Sequence, residues 1–272
     1  MRSIREKISI VIPVYNEEKI IYSNLKEVKK TFDEFGCNYE IIVCDDGSRD
    51  SSIKEVLNFV KDHKDLCIKI THNRSNYGKG RTLKKAFKYV TGDYVIFLDG
   101  DLDLHPTQIP TFFDIMRLTE ADIIIGSKRH PNSVLHYPLN RKVMSFVYFS
   151  MIKSLFGLPI NDTQTGLKLF KREVLQDVFK RILVKKFAFD LEVLVVAHHL
   201  GYRRIIEAPV KFRLRSMGSK ISTGAVRNFL QDMAAIFYRR YLLRYYDREI
   251  SPPKKKRRQK RTKKTATKKS RK

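Results

Sequence analysis

The chain has no tryptophan, only three cysteines, and 29 acidic residues against 55 lysines and arginines. Cys37, Cys44 and Cys67 form no paired spacing and no C-x-x-C. An odd, scattered set excludes a disulfide framework and a zinc knuckle and points to reduced cytosolic thiols. No stretch approaches the ~18 uncharged apolar residues that a membrane-spanning helix needs. The start, Met1-Arg2-Ser3-Ile4-Arg5-Glu6, lacks a secretory apolar core and runs straight into a strand pattern. Outside its last residues the chain carries no basic-aromatic platform and no nucleic-acid recognition motif, so no specific nucleic-acid partner is expected. What remains is 272 residues, 42% hydrophobic, enough for one good-sized α/β domain and a tail.

The shortage of acid makes the acidic residues that are present informative. Val95-Ile96-Phe97-Leu98 runs into Asp99-Gly100-Asp101-Leu102-Asp103. The apolar run suits a strand buried on both faces, and open α/β sheets bind ligands where such strands end. Clustered carboxylates are costly to desolvate unless a cation shares them. Mg²⁺ and Mn²⁺ accept a few carboxylates and leave positions for phosphate oxygens.

Other strand candidates are Ile8–Val14, Tyr39–Cys44, Cys67–Ile70, Asp122–Gly126 and Ala208–Phe212. Most alternate with helical segments, the pattern of a largely parallel, doubly wound sheet. The first five end in polar, acidic or glycine-rich residues, so one sheet edge collects them: Tyr15-Asn16-Glu17, Asp45-Asp46-Gly47-Ser48, Asn76-Tyr77-Gly78-Lys79-Gly80, the acidic cluster, and Ser127-Lys128-Arg129.

These blocks, in this order, resemble the nucleotide-sugar domain of family 2 glycosyltransferases, with the Rossmann-like GT-A fold. Asn161–Phe170, Phe189-Asp190-Leu191-Glu192 and Gly218-Ser219-Lys220 extend the likeness toward the polyprenyl-phosphate branch, the dolichyl-phosphate mannose and glucose synthases. The Asp-Thr-Gln-x-Gly-x-Lys-Leu-Phe form is nearer the glucosyl members. The resemblance covers about residues 7–222 and implies an inverting transferase dependent on Mg²⁺ or Mn²⁺. Asp99 and Asp101 would be metal and diphosphate-side carboxylates. Asp103, where mannosyl members commonly have glutamine, is a third metal candidate. Pro13, Tyr15, Glu17, Asp45 and Asp46 would hold base and ribose. Lys79, at a helix start, would face phosphate.

A lipid monophosphate acceptor is substantially dianionic near neutral pH and needs no general base. It needs cations, arginine above all: Lys128, Arg129, Arg141, Arg213, Arg215 and Lys220 are the candidates. Asp190 and Glu192 would matter as bases only for a hydroxyl acceptor, as in a family 2 enzyme elongating a glycan. Otherwise they are structural or sugar-orienting.

The expected organisation is a catalytic domain over 1–222, an amphipathic helix within 223–250, and a disordered basic tail over 251–272. From 254 onward the tail holds 13 Lys/Arg and no acid, half of the net +26. Phe229, Leu230, Met233, Ile236, Phe237, Tyr241 and Leu242 recur at helical spacing among arginines. That pattern suits either the lipid interface or packing on the domain. The expectation is therefore a peripheral protein at the cytoplasmic face of a membrane. It would take a hexose, from UDP-glucose first and GDP-mannose second, to polyprenyl phosphate. Its further partners would be anionic lipid and a membrane-embedded subunit.

Overall fold

The computed structural model describes residues 6–133, 139–184, 188–212 and 223–248, with the backbone alone at 139–147, 223, 225 and 226. Seven strands form one sheet in the order β3-β2-β1-β4-β6-β5-β7. They are β1 (Ile8–Val14), β2 (Tyr39–Asp45), β3 (Ile68–His72), β4 (Tyr94–Phe97), β5 (Ile123–Ser127), β6 (Lys168–Lys171) and β7 (Ile205–Pro209). All neighbouring pairs are parallel except those of β6, which runs antiparallel to β4 and β5.

The continuous apolar runs are explained by two cores, one on each face. Ile10 and Ile12 of β1 and Ile96 of β4 point to one core, whereas Val11, Val95 and Phe97 point to the other. On the first face lie α1 (Ile21–Phe35), α2 (Ser52–Asp62) and α4 (Ile109–Thr119). Their buried stripes, such as Ile21, Leu25, Val28 and Phe32, follow helical spacing. The second face carries α3 (Lys79–Ala86), α5 (Leu139–Phe156), α6 (Arg172–Val178), α7 (Phe189–His199) and α8 (Thr223–Phe237). Val193 to Ala197 of α7 are all buried, so this helix is interior.

Two strands differ from the sequence pattern. β7 begins at Ile205, three residues before the expected start, because Ile205 and Ile206 pair with Ile123 and Ile124. After Pro209 the chain leaves the sheet, with Val210 packed against Gly126 of β5 and Phe212 in an isolated antiparallel bridge to Leu104. β6 is a short antiparallel insertion that βαβ alternation does not anticipate. Its four residues bury Lys168 beside Leu169 and Phe170.

The amphipathic segment is α-helical only to Phe237. A π-helical turn (Tyr238–Leu242) and a 3₁₀ turn (Tyr245–Asp247) follow. Met233, Ile236 and Tyr246 join the core, while Leu230, Tyr238, Tyr241, Leu242 and Leu243 stay exposed. The segment thus packs one stripe on the domain and turns a second apolar set outward. Among the described residues no helix is long and apolar enough to cross a membrane. The basic tail lies outside the described residues.

Candidate active site

The carboxyl ends of β1, β2, β4 and β5 meet at one edge. Pro13 of β1 pairs with Cys44, and Val14 with Asp45. Gly100 lies close to Pro13, where an added Cβ would stand 3.0 Å from the Pro13 carbonyl. After β4 the chain turns sharply: Leu102 is buried in the left-handed region at φ 51°, an unfavourable conformation for a leucine. The turn is held by the Asp103 amide, which donates to Asp101 Oδ1 at 3.1 Å, and by the Leu102 amide on the Asp99 carbonyl. Asp99, Asp101 and Asp103 thereby line one pocket with Leu104, Lys128, Gln164, Gly166 and Phe212.

Burial and the concentration of negative charge both act on the carboxyl groups of its members. Burial, then the charges of Asp101, Asp50, Asp103 and Asp99, raise Glu17 to about 7. Burial also pushes Asp101 upward, with Asp99 adding to it against the opposing Asp103 amide. Among the described residues, no three His, Cys, Asp or Glu side chains are placed to hold a metal ion by themselves.

Lys79 opens α3 just after Gly78, whose φ of 95° suits glycine. Its ammonium lies 2.7 Å from Asp99 Oδ1 and 3.9 Å from Asp190 Oδ2. Burial alone would lower the Lys79 pKa, but Asp99 and Asp190 reverse this and raise it. Asp190, at the start of α7, takes its main partner from β6: Lys168 Nζ at 2.6 Å. Burial would raise the Asp190 carboxyl, but Lys168 and Lys79 hold it below the usual carboxylate range. Lys168 also donates to the Thr165 carbonyl. β6 therefore delivers a buried cation beneath the site, a role its sequence block does not announce.

The two aspartates at the end of β2 are engaged by the protein. Asp46 accepts from Asn73 Nδ2, Thr82 Oγ1 and the amides of Tyr77 and Gly78, all within 3.0 Å. It thus fixes the loop that presents Lys79. Asp45 is met by the amides of Gly47 and Ser48, the Ser48 hydroxyl, and His72 Nδ1 at 2.8 Å. Tyr15 is exposed at the end of β1, and the Glu17 amide donates to Ser52 Oγ at 2.7 Å.

Of the proposed acceptor-side cations, Lys128 stands on the pocket wall with its ammonium 4.5 Å from the Phe212 ring centroid. Arg129 lies over Phe149 at 5.2 Å. Arg213, Arg215, Lys220 and the Arg141 side chain lie outside the described residues. Glu192 faces away from this chemistry. It is fully buried and receives Tyr246 Oη at 2.7 Å, the amides of Leu183 and Val184, and Arg239. Sequence reasoning passed over Gln164, Gly166, Lys168 and Phe212 as individual site residues. The first three stand in the Asp162-Thr163-Gln164-Thr165-Gly166-Leu167-Lys168 block, which carried the signal as a block only.

Comparisons with known proteins agree with this geometry. The family described as Glycosyl transferase family 2 matches residues 9–179. A dolichyl-phosphate beta-glucosyltransferase of Trichomonas vaginalis is 31% identical over 89% of this chain and 76% of its own length. The Dictyostelium discoideum dolichyl-phosphate beta-glucosyltransferase is 29% identical over 71% of this chain, which spans 63% of that protein. Among solved structures, glucosyl-3-phosphoglycerate synthase from Mycobacterium tuberculosis, in complex with Mn²⁺, UDP and phosphoglyceric acid, superposes with a TM-score of 0.65. It is 19% identical, covering 85% of this chain and 78% of that one, a likeness of fold. With the sheet edge, the acidic turn and the matched span in agreement, the chain belongs to the family 2 glycosyltransferases, and it is a glycosyltransferase of GT-A-like fold.

Proposed function

We propose that this glycosyltransferase moves a hexose from a nucleoside diphosphate sugar to a polyprenyl phosphate, with inversion at the anomeric carbon. UDP-glucose is the first candidate donor and GDP-mannose the second. The observation that carries the acceptor assignment is the state of Asp190. A carboxylate held down by Lys168 and Lys79 is a poor proton acceptor, whereas a general base works best with a pKa near the operating pH. A phosphate nucleophile requires no such base.

The carboxylate set suits a divalent ion. Asp99 and Asp101 share a pocket, and the burial and neighbouring carboxylate charge that together raise Glu17 and Asp101 are of the kind a hard cation relieves. Asp99 and Asp101 would hold Mg²⁺ or Mn²⁺ and leave positions for phosphate oxygens; Asp103, the third candidate, would have to shift to join them, since among the described residues no three carboxylates are placed together for an ion. Bound there, the ion would act as a Lewis acid on the departing diphosphate. The chain's own groups do the rest. Lys79 brings a positive charge to the Asp99 side of the site, and Asp190, itself paired with Lys168, helps to hold it in place. Asp46 positions the Lys79 loop, and the exposed Tyr15 and the Asp45 turn flank the space for base and ribose. Lys128, Arg129, Arg141, Arg213, Arg215 and Lys220 are the proposed ligands of the acceptor phosphate.

We further assign the outward apolar set of 223–250 and the basic tail 251–272 to an anionic membrane surface at the cytoplasmic face, beside the lipid acceptor and any membrane-embedded partner. The test is transfer itself. Purified protein with Mn²⁺, radiolabelled UDP-glucose or GDP-mannose, and dolichyl phosphate should yield label in the organic phase. Label recovered only in a water-soluble glycan would favour the hydroxyl-acceptor reaction.

A further inference from the structure

The loop Asn161–Gly166 is built more firmly than a connection between α5 and β6 requires. Glu207 of β7 receives the amides of Asn161 and Asp162 at 2.8 and 2.9 Å and Asn161 Nδ2 at 2.7 Å. Asp162 in turn accepts from the Gln164 amide through Oδ1 at 3.0 Å and from the Lys128 amide through Oδ2 at 3.1 Å. Thr163 is buried, with its hydroxyl 2.8 Å from that of Tyr148 on α5, which also neighbours the Gln164 side chain. At the far end, Gly166 lies flat against the acidic turn: an added Cβ would fall 2.1 Å from Asp99 Oδ2.

Asp162 and Thr163 are turned toward protein by these bonds. Gln164 is exposed and lines the pocket together with Asp99, Asp101 and Asp103. Preorganised neighbours and one exposed polar side chain, steadied by the Tyr148 hydroxyl, make a specificity device.

Placement decides what it would read. In a nucleoside diphosphate sugar the hexose is bonded to the outer phosphate, so it must lie next to the groups that hold that phosphate. If these are Asp99 and Asp101, the hexose enters the pocket that Gln164 lines. A glutamine amide offers both a donor and an acceptor without charge, which suits a sugar hydroxyl and not a phosphate. We infer that Gln164, fixed by the Glu207–Asp162 clamp, is a specificity-determining residue that hydrogen-bonds a hydroxyl of the donor hexose. This inference rests on the proposed donor class and adds to it the residue that distinguishes one hexose from its epimer. A site built to bond a hydroxyl discriminates strongly against a sugar that misplaces it.

Equilibrium binding in the presence of Mn²⁺, measured by calorimetry for UDP, UDP-glucose and UDP-galactose, tests this without an acceptor. GDP, GDP-mannose and GDP-glucose cover the second donor. The wild type should separate the epimers of its preferred nucleotide by about tenfold or more. In Gln164→Ala that ratio should fall to within about threefold, while affinity for the bare nucleotide stays within about twofold. Gln164→Asn, which keeps the amide on a shorter stem, should recover part of the ratio, and thermal unfolding should be unchanged in both variants. Undiminished epimer discrimination in Gln164→Ala would overturn the inference. So would loss of bare-nucleotide binding, or a wild type that does not separate the epimers. The organic-phase transfer assay on the wild type stands apart. Its failure with epimer discrimination intact would remove the acceptor assignment and leave Gln164 as the hexose reader.

Discussion

Asp101 sits where burial and neighbouring carboxylate charge both oppose ionisation, so the residue is useful only with a cation to share. Asp101→Asn replaces a charged ligand by a neutral amide of nearly the same shape, and a hard cation binds that far less well. Transfer should fall by at least about 100-fold, as expected for losing a group that stabilises developing charge. Thermal stability should stay close to that of the wild type. Chelator should silence the wild type, with Mg²⁺ or Mn²⁺ restoring it; full activity in excess chelator would end the metal assignment.

Glu17 gives the same argument a pH axis. Its folded pKa, about 7, lies above its ordinary value of 4.5. The folded protein therefore holds this proton where the unfolded chain has lost it. The resulting stabilisation is complete below about 4.5 and is lost as pH rises through about 7. In the presence of chelator, the melting temperature should decline from pH 5 to pH 8, and Glu17→Gln should flatten part of that decline. An equal slope in the variant would show that Glu17 is not the titrating group.

At the scale of elements, the C-terminal segment is tied to the catalytic sheet by one buried carboxylate. Glu192 on α7 joins Arg239 and Tyr246 to the amides of Leu183 and Val184, and Arg240 and Tyr241 add bonds to the carbonyls of Phe156 and Leu155. Breaking a buried ion pair by removing one member leaves the other uncompensated. Glu192→Ala should cost about 3 kcal/mol or more, read from urea unfolding. A cost below about 1 kcal/mol would mean that the Arg239 contact is solvated.

These ties also mark what the sequence could show. The parallel strands β1 to β5 and the acidic turn were legible because apolar runs and their polar ends are local patterns. β6 was not, since a four-residue antiparallel strand between helices has no periodicity of its own. Nor was the Lys168–Asp190 pair, which links positions 22 residues apart through tertiary structure. Likewise, Asp45 and Asp46 read as one acidic motif after β2. Only their separate partners, His72 for one and the Tyr77–Gly78 amides for the other, distinguish the Asp45 turn from an anchor of the Lys79 loop.

Across the whole molecule, charge and apolar exposure converge on the C-terminal end. Leu230, Tyr238, Tyr241, Leu242 and Leu243 are exposed, and the last 19 residues hold 13 Lys/Arg. Near an anionic surface each cation contributes up to ~1 kcal/mol, with diminishing returns and within a Debye length. Deleting residues 251–272 should weaken binding to phosphatidylserine vesicles and slow transfer to membrane-embedded acceptor, while donor binding is retained. High salt should reproduce the effect in the full chain. Equal vesicle binding by both proteins at low salt would assign the tail to another polyanion.

The central claim is that the lipid phosphate is itself the nucleophile, attacking an α-linked donor in line. The anomeric configuration of the organic-phase product, determined by NMR, tests it most directly. The account predicts a β-linked glycosyl phosphate that mild acid releases as free hexose. An α-linked phosphate, or a hexose joined through a sugar hydroxyl and stable to that treatment, would contradict it.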